Sequence, residues 1–310
     1  MTAAWPLYGH QAAEAEFLKA RDNGRLHHAW MLEGPQSIGK SILARRIGAL
    51  MLGAASLDAS VEDPVVQKIN SDGHPDFRWL ARRPDDKGKL KQNIPVDDVR
   101  DLIAFFSLRP ALGGWRVGVI DSLDELNTNG ANALLKTLEE PPGNCLIILV
   151  NHGVKPVLPT IRSRCRVLRL SPLSDADVAT ALRPLADGDV DVNAAASLAR
   201  GRPGRGVRLV SPAGLAAANA ARTLLRAAPS IGDGALSAFI KLASVDAVSF
   251  EAAVTELLDG LSEAAPQSAH AATVWLDISA IAAEAAALTL ERGQAASRIA
   301  GRLLTLDTAA

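Results

Sequence analysis

The eight residues Gly34-Pro35-Gln36-Ser37-Ile38-Gly39-Lys40-Ser41 constrain this chain more than any other stretch. They spell G-x-x-x-x-G-K-S, directly behind an apolar run that ends at Glu33 and directly ahead of a helical run over residues 41–52. The spelling follows from the chemistry. Glycines let backbone N–H groups curl around phosphate oxygens, and a helix N-terminus adds partial positive charge. Lys40 would reach the β- and γ-phosphates of a nucleotide, and the Ser41 hydroxyl would coordinate Mg2+.

A strand that feeds such a loop needs neighbours. Short β-like runs cover residues 28–33, 76–80, 116–121, 145–151 and 166–170, with helical stretches between them. Residues 117–120 and 146–150 are continuously apolar, as strands buried on both faces should be. Val99, Leu102, Ile103 and Phe106 follow the i, i+3, i+4, i+7 rule on one helical face. A second helix over 131–139 must stop before Pro141-Pro142, because proline disfavours helical geometry in its predecessor. The alternation predicts a parallel sheet between helical layers.

Pro172 opens a different regime. Ser174 and Asp177 resemble a helix-capping box with Val178, Ala181 and Leu182 behind it. Apolar residues make up 48% of the chain but aromatics only 4%, so the cores are aliphatic and alanine-rich, which favours helix. Phe250, Val254, Leu257, Leu258 and Leu261 form one helical stripe; Ile278, Ile281, Ala285 and Leu288 form another. The expected division is residues 1–171 as an α/β core, 172–211 as a small helical domain and 212–310 as an all-α domain.

A phosphate loop needs an acidic partner at the end of a neighbouring apolar strand, to hold the magnesium water shell. Val117-Gly118-Val119-Ile120-Asp121 supplies Asp121. Ser41 and Asp121 are thus the candidate Mg2+ residues, and Gly34, Gly39, Lys40, Ser41 and Asp121 the candidate site for ATP or ADP. Hydrolysing proteins of this class commonly place glutamate after that aspartate; here the residue is Ser122. A serine hydroxyl cannot act as general base near neutral pH. Asp124 and Glu125 are displaced by two or three positions, which aims their side chains elsewhere. Binding without turnover is the expectation.

The formal net charge of −1 gives no global basic field for nucleic acid. Cys145 and Cys165 supply neither a disulfide framework nor four zinc ligands, and read as reduced residues in or near a core. No charged-then-apolar leader opens the sequence and no apolar run approaches the ~20 residues of a membrane span. A cytoplasmic protein is expected.

Several segments together resemble the clamp-loader branch of the AAA+ family. Arg25-Leu26-His27-His28-Ala29-Trp30 is similar to its approach strand. Gly73-His74-Pro75-Asp76 and Leu108-Arg109-Pro110-Ala111-Leu112-Gly113-Gly114-Trp115 are similar to segments flanking its core strands. Asn132-Ala133-Leu134-Leu135-Lys136-Thr137-Leu138-Glu139-Glu140-Pro141-Pro142 and Leu158-Pro159-Thr160-Ile161-Arg162-Ser163-Arg164-Cys165 match most closely. The resemblance is strong over about the first 170 residues and compositional in the last hundred. It implies a three-layer AAA+ core with a parallel sheet, a helical lid and a C-terminal helical collar that joins unlike chains into a ring. It also implies partners: the gamma/tau ATPase subunits and the delta subunit of a bacterial DNA polymerase III clamp loader, with the sliding clamp and primed DNA reached through the complex.

Read alone, Arg164 is a surface arginine at a strand edge. The resemblance makes it a finger that enters a neighbour's ATP site, where a permanently charged, fork-shaped guanidinium can neutralise the γ-phosphate. Gly201-Arg202-Pro203-Gly204 puts glycine where the lid of an ATPase subunit often carries a nucleotide-sensing arginine, though Arg202 and Arg205 lie close by. Residues 53–70 lack the four-cysteine zinc module of many relatives. Ser122 and Gly204 weigh for a non-hydrolysing subunit and against a motor subunit. A small-molecule P-loop kinase would need a substrate lid in place of the Leu-Lys-Thr-Leu-Glu-Glu-Pro-Pro and Ser-Arg-Cys segments.

Weaker signals remain. Lys87, Lys89 and Lys91 read as a solvated basic turn rather than a DNA contact. Tyr8-Gly9-His10 is a candidate lining for an adenine pocket. His27-His28 reads as packing or capping, and Trp115 as an anchor for the strand that follows.

Overall fold

A computed structural model describes residues 3–86, 88, 90–228, 230–288 and 291–306, with the side chains of 287 and 288 also outside the description. Lys87 and Lys89 therefore lie outside the described residues. The chain divides into two compact units, Met1–Leu173 and Ser174–Ala310.

In the first unit the elements run α1 (Gln11–Asp22), β1 (Ala29–Glu33), α2 (Lys40–Met51), α3 (Pro64–Asn70), β2 (Phe77–Leu80), α4 (Val96–Ser107), β3 (Arg116–Asp121), α5 (Thr128–Glu139), β4 (Cys145–Asn151), α6 (Pro159–Arg162) and β5 (Arg166–Arg169). All pairings are parallel, in the order β2-β3-β4-β1-β5. The central strand β4 is buried along its whole length, and its side chains alternate between two cores as the pleat requires. Leu146, Ile148 and Val150 join Phe17, Trp30, Ile47 and Val66 from the α1–α3 side. Ile147 and Leu149 join Val99, Leu102, Phe106, Leu134 and Leu138 from α4 and α5. The result is the expected three-layer α/β/α arrangement.

Local signals explain the ends of these elements. The Asn127 side chain accepts from the Gly130 N–H at 2.8 Å, which starts α5 three residues earlier than the apolar pattern alone predicts. His28 sits just outside β1, where its Nε2–H reaches the carbonyl of Leu138 at 3.0 Å and caps the end of α5. Trp115 packs its half-buried ring against the α1–α3 core, at the head of β3. Asp76 and Arg116 join two of the motif segments. The buried Asp76 carboxylate accepts from the N–H groups of Ala111 (2.7 Å) and Leu112 (2.8 Å). Arg116 lies 3.4 Å from it and donates to the carbonyl of Arg109 at 2.7 Å.

The second unit is helical: α7 (Asp175–Leu182), α8 (Val192–Ala199), α9 (Pro203–Gly206), α10 (Pro212–Ala227), α11 (Asp233–Ala243), α12 (Ala247–Ala264), α13 (Ala269–Leu288) and α14 (Arg292–Leu303). The Ser174 hydroxyl accepts from the Asp177 N–H at 3.1 Å and donates to the Asp177 carboxylate at 2.8 Å, so the capping pair closes through its side chains. Phe250, Val254, Leu257 and Leu261 pack with Ile278, Ile281, Ile299 and Leu303 in one core. Glu256 is nearly fully buried on α12 and binds Arg205, Arg222 (3.1 Å) and Arg200 (3.3 Å). Asp259 pairs with Arg202 and Arg205. Burial lowers Arg205 to about 10, with Glu256 opposing the fall.

Candidate functional site

The phosphate loop leaves β1 at Glu33 and enters α2 at Lys40. Gly34 has φ +156°, and a Cβ there would lie 2.3 Å from the carbonyl oxygen of Leu170, just beyond β5. Gly39 has φ +113°, and its Cβ would lie 2.6 Å from a Leu7 methyl. Both positions exclude a side chain, which is why the motif spells glycine at each. The buried His10, in the segment expected to line an adenine pocket, donates its Nε2–H to the Ile38 carbonyl at 2.8 Å and so braces the loop.

Lys40 is 2% exposed. Its ammonium donates to the carbonyl of Gly34 at 2.6 Å and to that of Pro35. Burial brings Lys40 from 10.5 to about 8, against the upward pull of Asp121 and Asp124. The lysine is thus a charge held in a dry place beside the first turn of a 12-residue helix.

The opposite wall is the carboxyl end of the sheet, where open α/β folds bind ligands. Glu33, Asn151 and Asp121 stand there on β1, β4 and β3, with Glu33 opposite Asn151 and Asp121 opposite Val150. Asn151 is 2% exposed; its amide donates to Glu33 Oε1 at 3.5 Å, and its carbonyl oxygen accepts from the Gly153 N–H at 3.2 Å. His152 Nε2 lies 3.9 Å from Asp121 Oδ1, and burial followed by the Lys40 charge holds its imidazole below its ordinary range. Asn151 and His152 were not legible as site residues. The available signal was a polar pair ending a buried apolar strand that parallel pairing sets beside the loop strand.

The residues after Asp121 are accounted for. Ser122 is 1% exposed and its hydroxyl has no hydrogen-bond partner among the described residues. The Asp124 carboxylate accepts from the backbone N–H groups of His152 (2.6 Å), Val154 (2.8 Å) and Lys155 (3.1 Å), fixing the turn after β4. Glu125 pairs with Arg82 at 2.8 Å, and burial raises its carboxyl above the usual range. Both carboxylates near Asp121 in sequence are therefore engaged elsewhere.

The donor set fits a nucleoside polyphosphate. A buried ammonium, two side-chain-free loop positions and a helix N-terminus lie together in the loop, and Asp121 is followed by Ser122, whose hydroxyl has no partner among the described residues. The Ser41 hydroxyl and the Asp121 carboxylate would hold Mg2+ on the phosphates. Among the described residues no group of three or more His, Cys, Asp or Glu could bind a metal by itself.

Arg164 follows α6. Its guanidinium donates to the Thr160 carbonyl at 2.8 Å and pairs with Glu139 Oε1 at 2.7 Å, leaving the side chain one-third exposed. Two residues earlier, Arg162 forms a two-pronged pair with Glu33, at 2.6 and 3.0 Å. Burial raises the Cys145 thiol to about 11 and the Cys165 thiol to about 12, so both stay protonated at neutral pH. In the second unit the two arginines nearest the expected nucleotide-sensing position, Arg202 and Arg205, are paired with the carboxylates of α12.

A family model described as DNA polymerase III, delta subunit, matches residues 9–174. The chain belongs to that family. The match spans the phosphate loop, Asp121, Asn151 and the Arg162–Arg164 segment. DNA polymerase III subunit delta' of Pseudomonas aeruginosa is 38% identical over 151 residues, covering 48% of this chain and 44% of that protein. Subunit delta' of Escherichia coli K12 is 30% identical over 189 residues, covering 60% of this chain and 55% of that protein. Subunit gamma of Buchnera aphidicola (subsp. Schizaphis graminum) is 33% identical over 158 residues, 50% of this chain and 41% of that protein. The matched stretch thus spans about half the length of these curated relatives. The family relation rests on the first unit. Among the described residues no helix is long and apolar enough to cross a membrane.

Proposed function

We propose that this chain acts as a delta'-type stator in a bacterial, cytoplasmic DNA polymerase III clamp loader. Gly34, Gly39, Lys40, Ser41 and Asp121 bind ATP or ADP with Mg2+, and the pocket does not turn the nucleotide over at a useful rate. The observation that carries this reading is Ser122, buried where a base would stand, with the Asp124 and Glu125 carboxylates both engaged. A bound nucleotide supplies charge and shape to the loop; Lys40 and the loop amides neutralise it.

Arg164 is the residue offered to a neighbour. Gamma/tau ATPase subunits and a delta subunit are the partners, with the sliding clamp and primed DNA engaged through the whole ring. Residues 172–211 serve as the lid and 212–310 as the collar. Presenting Arg164 requires it to exchange Glu139, an exposed partner, for a γ-phosphate, a swap between two charge-assisted pairs.

The test is ATP hydrolysis by the reconstituted loader, stimulated by clamp and primed DNA, comparing wild type with Arg164→Ala in complexes shown to assemble normally. Turnover at the adjoining site should fall by roughly 10³ or more, and the isolated wild-type chain should hydrolyse nothing measurable. Unchanged turnover would leave Arg164 a surface ion-pair residue. A second reading, an active motor subunit, draws on the intact Lys40 and Asp121; steady hydrolysis by the purified chain would establish it.

A further inference from the structure

Glu33 is a carboxylate at the mouth of a site for anions. It ends β1, and the next residue, Gly34, opens the phosphate loop. Left bare, its charge would repel a polyphosphate held by the loop that begins at the next residue. It is not bare. Arg162, 129 residues further on, grips both oxygens, and Arg169 Nε lies 3.4 Å from Oε2. The Arg162 hydrogen bonds hold Glu33 below the ordinary carboxylate range, so the pair is ionised across neutral pH.

The same grip reaches in a second direction. Arg162 ends α6, and the chain continues through Ser163 to Arg164, which Glu139 and the Thr160 carbonyl hold from the other side. Lys40 donates to the carbonyls of Gly34 and Pro35, the two peptides that follow Glu33. A phosphate in the loop competes for that ammonium. It therefore acts on the short backbone segment to which the Glu33 side chain anchors α6.

We infer that Glu33 and Arg162 form a positioning couple between this chain's own phosphate loop and the segment bearing Arg164. Through it, binding of a nucleoside polyphosphate and the aim of Arg164 share one equilibrium. The part concerning Arg164 rests on the finger reading above; the part concerning the loop does not. Arg162 is a positioning residue that neutralises Glu33 and transmits its place. The fork-on-fork geometry supplies direction, and partial exposure of both side chains, 40% for Arg162 and 23% for Glu33, keeps the effect moderate. Linkage makes it reciprocal.

The experiment is a double-mutant cycle on the full chain, with Mg-ATP as the probe and calorimetric titration as the readout. Arg162→Gln leaves the Glu33 charge with only the longer Arg169 contact and should weaken binding about three- to tenfold. Glu33→Gln should leave binding at or above the wild-type level. Adding Arg162→Gln to Glu33→Gln should then cost nothing further, a rescue that general loosening of the fold would not give. In the reconstituted loader, Glu33→Gln should lower turnover at the neighbouring site although its own pocket binds nucleotide well. Equal and additive losses in the binding cycle overturn the couple, whatever Arg164→Ala does. A non-additive cycle together with turnover insensitive to Arg164→Ala would remove the finger reading alone and leave Arg162 as the shield of the loop.

Discussion

Raising the pH from 7 to 9 should weaken binding of Mg-ATP to this chain about tenfold, and Lys40 sets the figure. Burial brings its ammonium to about 8, so about a tenth of the lysine is neutral at pH 7 and about nine-tenths at pH 9. The β- and γ-phosphates are opposite charges within ~4 Å, which lift the bound lysine by about 2–3 units and keep it about nine-tenths protonated or more even at pH 9. Binding then demands a proton wherever the free lysine lacks one. The penalty grows as the protonated fraction shrinks, by about 11/1.1 between the two pH values, or about 1.4 kcal/mol. The nucleotide does not share in this, because a terminal phosphate with its second pKa near ~6 is ionised over the whole interval.

Calorimetric titrations at pH 7, 8 and 9, each in two buffers of different ionisation enthalpy, measure affinity and proton uptake together. About half a proton should be taken up at pH 8. Lys40→Arg, with a charge that cannot be lost, should flatten both curves even if it binds less well. Affinity that is constant across this range in the wild type, with no uptake at pH 8, would refute the reasoning: phosphate would not be meeting Lys40.

Other outcomes follow from the same structure. Glu256→Gln leaves Arg205, Arg200 and Arg222 without their shared buried carboxylate and should cost about 3 kcal/mol, read as a lower urea midpoint for the transition reported by Trp275, the second unit's tryptophan. Gly34→Ala drives a methyl into the Leu170 carbonyl; it should abolish nucleotide binding and cost about 2 kcal/mol, a fall of about 4–8 °C in the melting temperature of the first unit. His28, His74 and His152 are all held below their ordinary range, first by burial, so the unfolded chain binds protons before the folded one does. Their contribution to stability should therefore fall as pH drops from 7.5 to 6, a trend that the raised carboxyls of Glu14 and Glu125 oppose; a rising urea midpoint would contradict this. Lys40→Met should raise the melting temperature of the chain measured without nucleotide, while removing Mg-ATP binding.

What the sequence made legible was whatever a short window decides. Residues 116–121 and 145–151 are β3 and β4 to the residue, because strands buried on both faces advertise themselves as unbroken apolar runs. The loop was legible because its glycines answer to backbone geometry. At β1 the boundary moved by one residue, since His28 serves α5, an element 110 residues away in sequence. The rest of the site is made of such distant meetings. Nothing local marks Asn151 as the neighbour of Glu33, or Arg162 as its counter-ion. Nor did alanine-rich composition reveal that Arg202 and Arg205 are spent on Glu256 and Asp259 in the second unit. Charges paired across more than fifty residues leave no periodicity to read.

The buried charge of Lys40 supports the proposal that the phosphate loop binds an anion, whether or not the pocket hydrolyses it. Its descent from 10.5 to about 8 means that holding the ammonium charged costs roughly 2–3 kcal/mol, even allowing for water at the loop mouth. Two carbonyls and the more distant Asp121 return only part of that. An apolar side chain of similar length would fill the space without the cost, so in a chain without anions to bind the lysine is a net burden. Hydrolysis is not needed to justify it, because a lysine on the β- and γ-phosphates contributes to binding whether or not a water is activated. The loss falls on the other side of the site, where Ser122 lies buried with a hydroxyl unpartnered among the described residues and Asp124 is turned to bracing the chain after β4. On the stator reading proposed above, Lys40 and its loop are the half that grips phosphate, and the positions that would activate water, Ser122 and Asp124, are buried or engaged with backbone N–H groups. That division is what a subunit needs if a bound nucleotide is to set its shape rather than be consumed.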